Sequence, residues 1–330
     1  MGERSTANEK GSVVSGPSRS RRPKGRTPLV AIVGPTAAGK SSLALELACE
    51  TGAEIVSVDS RQIFRHLDIG TAKPTAEMMR RVPHHLIDVV EPDTAYDAGR
   101  FAREATAAIR EIRGRGHAPI LCGGSGLYLR ALVEGMADLP QPEPLLRAEL
   151  QAESEARGDA EMHDELLALD PELASRLAVE DRQRVLRGLE VYRQTGRPLS
   201  QWQAEHARRP RPFEVLTVVL SPPNEILEER IRKRTEEMWA QGLVEETRGV
   251  LERGFSGDLP SMQSIGYREV QAFLRDELTE DAAVEAIVRA SRQYAKRQRT
   301  WFRGMSEAHW LSESHWPTSL QREVLACLKA

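Results

Sequence analysis

Cysteine is scarce: Cys49, Cys122 and Cys327 are the only three in 330 residues, far apart, odd in number and with no C-x-x-C pair. That excludes a disulfide framework and a Cys-based zinc site, and predicts that all three serve as buried small hydrophobes. Long apolar runs are missing too. No stretch of 18 apolar residues occurs, so no membrane span is expected. The opening MGERSTANEKGSVVSGPSRSRRPKGRTP lacks the apolar segment of a secretory signal, which predicts a cytoplasmic protein. There is no internal repeat. What remains, 40% hydrophobic and 29% charged residues, is the composition of a soluble globular protein with room for one large or two modest domains.

Charge is unevenly spread. The formal net charge is −3, yet residues 1–26 carry seven Lys/Arg against two Glu. A Ser/Gly/Pro/Arg-rich tail of this kind buries too little apolar surface to order itself, so residues 1–27 read as a disordered basic tail. It can attract RNA or simply act as a solubilising extension.

The run PLVAIVG (28–34) is short, apolar and rich in β-branched residues. GPTAAGKS (34–41) follows and fits G-x-x-x-x-G-K-[ST], then a helix-like KSSLALELACETG. Strand, glycine loop and helix form the context in which this motif holds phosphate. Further strands are predicted at AEIVSVDS (53–60), HHLIDVV (84–90) and HAPILCGGSG (117–126). An amphipathic helix joins Phe101, Ala105, Ala108 and Ile112. This alternation predicts an α/β fold, a P-loop-type parallel sheet with helices on both faces. Residues 141–211 are polar and helix-prone without strand signals, and FEVLTVVLS (213–221) then resumes the sheet. An all-helical insertion at 141–211 is therefore expected inside a core made of 28–140 and 212–330. More helices are predicted from Asn224 to Gln241, Leu243 to Arg253 and Asp281 to Arg303.

In the loop, Gly34 and Gly39 allow the backbone between Pro35, Thr36, Ala37 and Ala38 to curl so that N–H groups converge on phosphate oxygens. Lys40 adds a positive charge, and Ser41 a hydroxyl for Mg2+. Taken alone, the loop suggests ATP. Nucleotide-hydrolysing relatives add an Asp at the end of a later strand, but APILCGGSG ends in glycines and Ser125. Asp59, ending IVSVD, is the available carboxylate. It is a metal ligand, a general base or a turn residue on these grounds alone.

Basic residues recur at helical spacing at Arg289, Arg292, Lys296, Arg299 and Arg303, and residues 182–211 hold eight Arg against two Glu. Either patch is a solvated face or a site for a polyanion larger than a nucleotide. Arg230 and Arg234 stand one helical turn apart, just after a core strand, where they can lean over the loop. Glu237 is a helical neighbour that can pair with Arg234, whereas Arg230 has no carboxylate on its own helix face.

GPTAAGKS, VDSRQIFRHLDIGTAKP (58–74), PHHLID (83–88), GGSGLYLRAL (123–132), QRVLRGLEVYRQTGRPLS (183–200) and IGYREV (265–270) occur in that order. Together they resemble the tRNA dimethylallyltransferase (IPP transferase) family over about 28–303. The resemblance implies transfer of a dimethylallyl group from dimethylallyl diphosphate to N6 of adenosine 37, beside the anticodon, with Mg2+ required and pyrophosphate released. It implies tRNAs that read codons beginning with U, and a monomer is expected. It also makes Asp59 the base, with Thr36 to Ser41 on the diphosphate and Lys40, with Arg234 or Arg230, absorbing its charge. By the same resemblance Asp59, Ser60, Arg61 and Gln62 touch the target nucleotide. Ser125, where the family commonly has Thr, joins the catalytic and tRNA-contacting set. Arg147, the segment Gln183, Arg184, Val185, Leu186 and Arg187, and the stretch with Gln263, Tyr267 and Arg268 match positions that contact tRNA. Phe64 stands where Tyr is frequent. An enzyme that prenylates free AMP or ATP shares the loop and base but has less need of the basic patches. A small-molecule P-loop kinase leaves the insertion unexplained, and a non-catalytic RNA-binding protein leaves Lys40, Ser41 and Asp59 unexplained.

Overall fold

The computed structural model describes residues 28–141, 143–305, 307–312 and 316–329; the basic tail lies outside the described residues. Six strands form one sheet: β1 (Pro28–Val33), β2 (Glu54–Val58), β3 (His84–His85), β4 (Pro119–Gly123), β5 (Glu214–Leu220) and β6 (His309–Leu311). Their order is β3-β2-β4-β1-β5-β6, and every pairing is parallel. β1 is apolar throughout because both its faces are covered: Leu29, Ala31 and Val33 are as buried as Val30 and Ile32. Val30 and Ile32 share a core with Leu43 and Leu47 of the helix Lys40–Thr51, with Val218 and Leu220 of β5, and with Leu320 and Val324 of the helix Thr318–Leu328. A parallel sheet brings all its carboxyl ends to one edge, and β4 lies between β1 and β2. The turns leaving β1, β4 and β2 therefore stand side by side, where open α/β sheets bind ligands.

The helices read from periodicity are present as Ala98–Gly114, Asn224–Ala240, Leu243–Glu252 and Glu280–Arg303. The expected strand at 84–90 is corrected to two residues. Leu86 (φ 61°) and Asp88 (φ 56°) take left-handed conformations that no strand tolerates. The segment is held instead by Asp88 N–H to Gln62 O and Val89 N–H to Ile63 O, and Asp88 Oδ1 pairs with Lys73 at 2.5 Å. β6 and the helices Tyr267–Leu274 and Thr318–Leu328 carried no sequence expectation. Cys122 and Cys327 are buried as predicted, but Cys49 is exposed on its helix.

The chain divides into two compact units. One takes in the described residues through Tyr96, Glu104–Tyr128 and those from Glu214 onward, and includes the sheet; the other is Asp97–Arg103 with Leu129–Phe213, wider than the insertion read at 141–211. No strand occurs in the second unit among its described residues. Its core joins Leu150, Met162, Leu166, Leu173, Val185 and Leu189. A Cβ on Gly188 would meet Leu166 Cδ1 at 2.7 Å, so that glycine sets how closely its helix packs. Buried Asp170 accepts from Leu173 N–H at 3.1 Å and Ser200 N–H at 2.9 Å, fixing two helix starts with one carboxylate.

At the amino end of the sheet, Glu54 is buried beneath Arg115 (Nη2 to Oε2, 2.7 Å) and His85 (Nε2 to Oε2, 2.6 Å). Burial alone would raise its pKa, but the hydrogen bonds from Arg115 and His85 outweigh burial and hold it below the usual glutamate value. A depressed carboxyl stabilises the fold above the ordinary glutamate range, and that stability is lost as pH falls through the lowered value. Glu54→Gln is expected to lower the thermal midpoint at neutral pH. In a pH series of melts, the gap from wild type should narrow once pH falls below the ordinary glutamate range and close past the lowered value; a gap that persists unchanged into acid would show that the carboxylate's charge contributes nothing.

Candidate active site

The turns after β1, β2 and β4 open on one cavity of about 510 Å³, lined entirely by the first unit. Its size suits a small ligand or one extruded base.

One wall is the glycine loop. Gly34 leaves β1 at φ 141°, and a Cβ there would come within 2.1 Å of Leu220 O on the neighbouring strand, so only glycine allows this turn. Ala37 (φ 60°) and Gly39 (φ 92°) are left-handed and pass the chain into the helix Lys40–Thr51. The first-turn N–H groups of that helix have no intrahelical acceptors, and with the helix dipole they favour an anion. Lys40 folds back, Nζ donating to Pro35 O at 2.6 Å. Burial foremost, with Arg234 adding to it and Cys122 and Asp59 opposing, lowers its pKa to about 8. Arg234 Nη1 donates to Thr36 Oγ1 at 3.1 Å, and burial depresses its pKa against the pull of Asp59. The carboxylate that could have held it, Glu237, pairs instead with Lys233 at 4.0 Å. Arg230 is exposed and does not line the cavity, although a Cβ on Gly39 would stand 3.9 Å from its Nη1. Arg234 is thus the arginine hydrogen-bonded to the loop.

The facing wall begins at the end of β2. Asp59 Oδ1 accepts from Arg61 N–H at 2.8 Å and Gln62 N–H at 3.4 Å. Its second oxygen takes no hydrogen bond among the described residues, and Asp59 lines the cavity. One oxygen therefore performs the turn function, and the other is available as a base. Ser60, Arg61 and Gln62 line the cavity beside it, as do Gln263 and Arg268 across from them.

Other expected contacts are placed differently. Ser125 stands behind the wall rather than in it: its hydroxyl accepts from Ser60 N–H at 2.9 Å and bonds Tyr294. It can position Ser60 and Tyr294 but does not reach the cavity. Tyr267 is fully buried, and its hydroxyl donates to Glu246 at 2.6 Å, so no surface remains for RNA. Val185 is buried in the core of the second unit and Leu186 packs against that core, leaving Gln183, Arg184 and Arg187 as the accessible part of the QRVLR segment. Arg147 and Arg187 converge on buried Glu190, at 3.5 and 2.6 Å. The arginine-rich window is largely paired within its own unit: Arg182 with Asp159, Arg184 with Asp181, Arg193 with Glu153 and Glu165, Arg197 with Glu205, Arg209 with Asp138, Arg211 with Glu134. In the C-terminal stripe, Arg292 pairs with Glu228, and Arg299 bonds Asn224 and the Pro222 carbonyl.

Residues that sequence reasoning missed come from that same helix, Glu280–Arg303. Gln298 accepts from Thr36 N–H at 2.8 Å and donates to Gly124 O at 3.0 Å. A Cβ on Gly124 would strike Gln298 Nε2 at 2.2 Å, and one on Gly126 would strike Trp301 Nε1 at 2.0 Å, which accounts for the glycines of GGSG. Tyr294 lines the cavity near Asp59, and burial, with the carboxylate nearby, pushes its pKa up to about 12. The signal was the i, i+3, i+4 spacing of Ser291, Tyr294, Gln298 and Trp301, a polar and aromatic stripe on the flank of the apolar face opposite Arg289, Arg292, Lys296, Arg299 and Arg303.

A model of the IPP transferase family matches residues 62–305, well over half of the chain. The chain belongs to the IPP transferase family. Among family members, the tRNA dimethylallyltransferase of Geobacter sulfurreducens is 46% identical over 286 residues, 87% of this chain and 92% of that protein. That of Halorhodospira halophila is 48% identical over 282 residues, 85% of this chain and 91% of that protein. The crystal structure of full-length tRNA isopentenylpyrophosphate transferase from Bacillus halodurans is 35% identical, with a TM-score of 0.66 over 91% of this chain and 95% of that one. A eukaryotic dimethylallyltransferase captured acting on tRNA is 28% identical, with a TM-score of 0.77 over 91% of this chain and 78% of that one.

Lys40 gives this family member a pH signature. Its ammonium is present below about pH 8 and lost above it, so affinity for inorganic diphosphate should fall as pH rises from about 7 to about 9. Titration calorimetry on wild type and Lys40→Met checks this. The variant supplies the baseline for the ligand's own ionisation, and identical pH slopes in the two proteins would remove the Lys40 ammonium from the anion site.

Proposed function

We propose that the chain transfers a dimethylallyl group from dimethylallyl diphosphate to N6 of adenosine 37 in tRNAs reading codons that begin with U, giving N6-dimethylallyladenosine (i6A) and diphosphate. The observation that carries this reading is that one cavity holds an anion loop and, facing it, a carboxylate with a free oxygen. Family membership over most of the chain supplies the substrate class.

In this reading the diphosphate lies on Thr36 to Ser41, with Lys40 and Arg234 stabilising the charge that grows as the carbon–oxygen bond breaks. The adenine amine is a feeble nucleophile, because its lone pair is delocalised into the ring. As nitrogen attacks the allylic carbon, Asp59 accepts the N6 proton through its free oxygen. The base leaves the anticodon stack to reach the cavity, where Ser60, Arg61, Gln62, Gln263 and Arg268 surround it. Exposed arginines of the second unit, Arg184 and Arg147 among them, then meet the RNA backbone.

No group of three or more His, Cys, Asp or Glu able to hold a metal ion occurs among the described residues. The available donors suit Mg2+ all the same: the Ser41 hydroxyl beside the oxygens of the diphosphate is the hard, phosphate-shared set that ion prefers. Bound there, Mg2+ would neutralise charge on the leaving group. A monomer and, with a tRNA substrate, a cytoplasmic location belong to the same reading. No helix among the described residues is long and apolar enough to cross a membrane.

The test is incubation with labelled dimethylallyl diphosphate, Mg2+ and either an anticodon stem-loop or AMP, followed by nucleoside analysis. Label is expected in the adenosine of the stem-loop; label in AMP alone would favour the adenylate enzyme, and phosphoryl transfer from ATP a kinase. Asp59→Ala should keep diphosphate and RNA affinity while turnover falls by about 10²–10⁴-fold.

A further inference from the structure

Three successive backbone N–H groups in the DIGTAKP segment converge on one carboxylate. Glu246, on the helix Leu243–Glu252, accepts from Asp68 at 3.0 Å, Ile69 at 2.8 Å and Gly70 at 3.2 Å. Such a concave run of amides is a ready anion site, and here the protein fills it with its own side chain. The same carboxylate takes the Tyr267 hydroxyl at 2.6 Å. Burial first, and then Glu246, push the Tyr267 pKa far up, so the phenol remains a donor at every working pH. Its ring lies on Gly70, where a Cβ would come within 2.5 Å of Tyr267 Cε2.

These contacts join two parts of the cavity wall that are distant in sequence. Gly70, Thr71 and Ala72 form one lip; Gln263 to Gly266 and Arg268, adjoining Tyr267, form the other. From the first lip the linkage continues inward. Thr71 O and Ala72 O accept from Gln62 Nε2 at 3.3 and 3.0 Å, and Gln62 Oε1 accepts from Ser57 Oγ at 3.0 Å. Both ends of the Gln62 amide are thereby assigned, and its orientation follows that of the lip.

We propose that Glu246 and Tyr267 are positioning residues that fix the spacing of the two lips between which the target adenine is received, acting through Gly70–Ala72 and Gln62. The proposal rests on prenyl transfer to RNA as the reaction of this cavity. Neither residue is hydrogen-bonded to the glycine loop among the described residues, whereas Gln298 and Arg234 are. The clamp therefore bears on RNA and not on dimethylallyl diphosphate.

The experiment compares the full chain with Glu246→Gln, Tyr267→Phe and Gly70→Ala in two measurements. The first is steady-state transfer from labelled dimethylallyl diphosphate to an anticodon stem-loop. The second is amide hydrogen exchange at 68–72, 263–268 and 34–41. The expected result is a KM for RNA raised about tenfold, the scale of one lost charge-assisted hydrogen bond, with the KM for dimethylallyl diphosphate unchanged. Exchange should quicken at both lips and stay constant in the glycine loop. Tyr267→Phe removes only a hydroxyl and keeps the core, so it separates the clamp from general unfolding. An unchanged RNA KM, both KM values rising together, or exchange that quickens at one lip or neither would overturn the proposal. If wild type transfers nothing to RNA, the reaction assignment falls, while the exchange measurement still decides the clamp.

Discussion

The side-chain amide of Gln298 holds the two halves of the site together. Its oxygen takes the Thr36 N–H and its nitrogen the Gly124 carbonyl, so one buried side chain fixes the glycine loop against the end of β4. β4 lies between β1 and β2, and the bond therefore sets the distance across which the loop faces Asp59. Leaving either partner buried and unpaired costs about 1–3 kcal/mol, and an amide is the side chain that satisfies a donor and an acceptor at once. The glycines of GGSG follow from the same constraint. Gly123 admits the end of β2, where a Cβ would meet Val58 O at 2.0 Å, and Gly124 admits Gln298 itself.

Charge in the cavity is arranged so that each group is left partly unmet. Lys40 and Arg234 are both pulled below their ordinary pKa values by burial, and Asp59 counters this for each. A pair of cations held near one carboxylate across a cavity, rather than bonded to it, keeps both poised for a ligand whose ends differ in charge demand. Anion binding beside Lys40 would favour its ammonium; in the proposed reaction the proton passes to Asp59 on the facing wall. Asp59 is kept from collapsing onto Arg234 because its Oδ1 is tied to the backbone of Arg61 and Gln62. The turn role and the proposed base role are thus compatible, one oxygen each.

Much of this was legible in the residues. The sheet and the loop follow from apolar runs and spacing, because a strand buried on both faces and a helix with one apolar stripe leave plain periodic marks; the approach of Arg234 does not, since helical spacing offered it Glu237 and left Arg230 as the arginine in need of a partner, whereas Glu237 turns to Lys233. The stretch at 84–90 was misread for a physical reason: HHLIDVV has the composition of a strand, but its geometry is dictated by Lys73, whose buried amine collects Phe64 O, Asp68 and Asp88. A contact made by a residue fifteen positions away leaves no local mark. Ser125 and Tyr267 stand one layer behind the cavity wall, a placement that leaves no local mark either. Sequence motifs register that a position matters to a site; they do not distinguish a side chain that touches the ligand from one that holds the side chain that does.

The arginines between 182 and 211 carry that point into electrostatics. Counting charge in a sequence window finds an excess of arginine, yet most of the partners, among them Glu134, Asp138, Glu153, Asp159 and Glu165, lie outside the window. Exposed pairs of this sort contribute little to stability, so an RNA phosphate could displace the carboxylate readily and local pairing does not argue against a polyanion. Arg147 and Arg187 obey a different rule, because their shared partner Glu190 is buried, with Oε1 unbonded. Taking both arginines away would strand a buried carboxylate at a cost of about 3–5 kcal/mol. In the proposed function a phosphate would be met by these two arginines while they stay on Glu190, in the orientation that carboxylate gives them, whereas Arg184, exposed and paired among the described residues with Asp181, would be free to move to it.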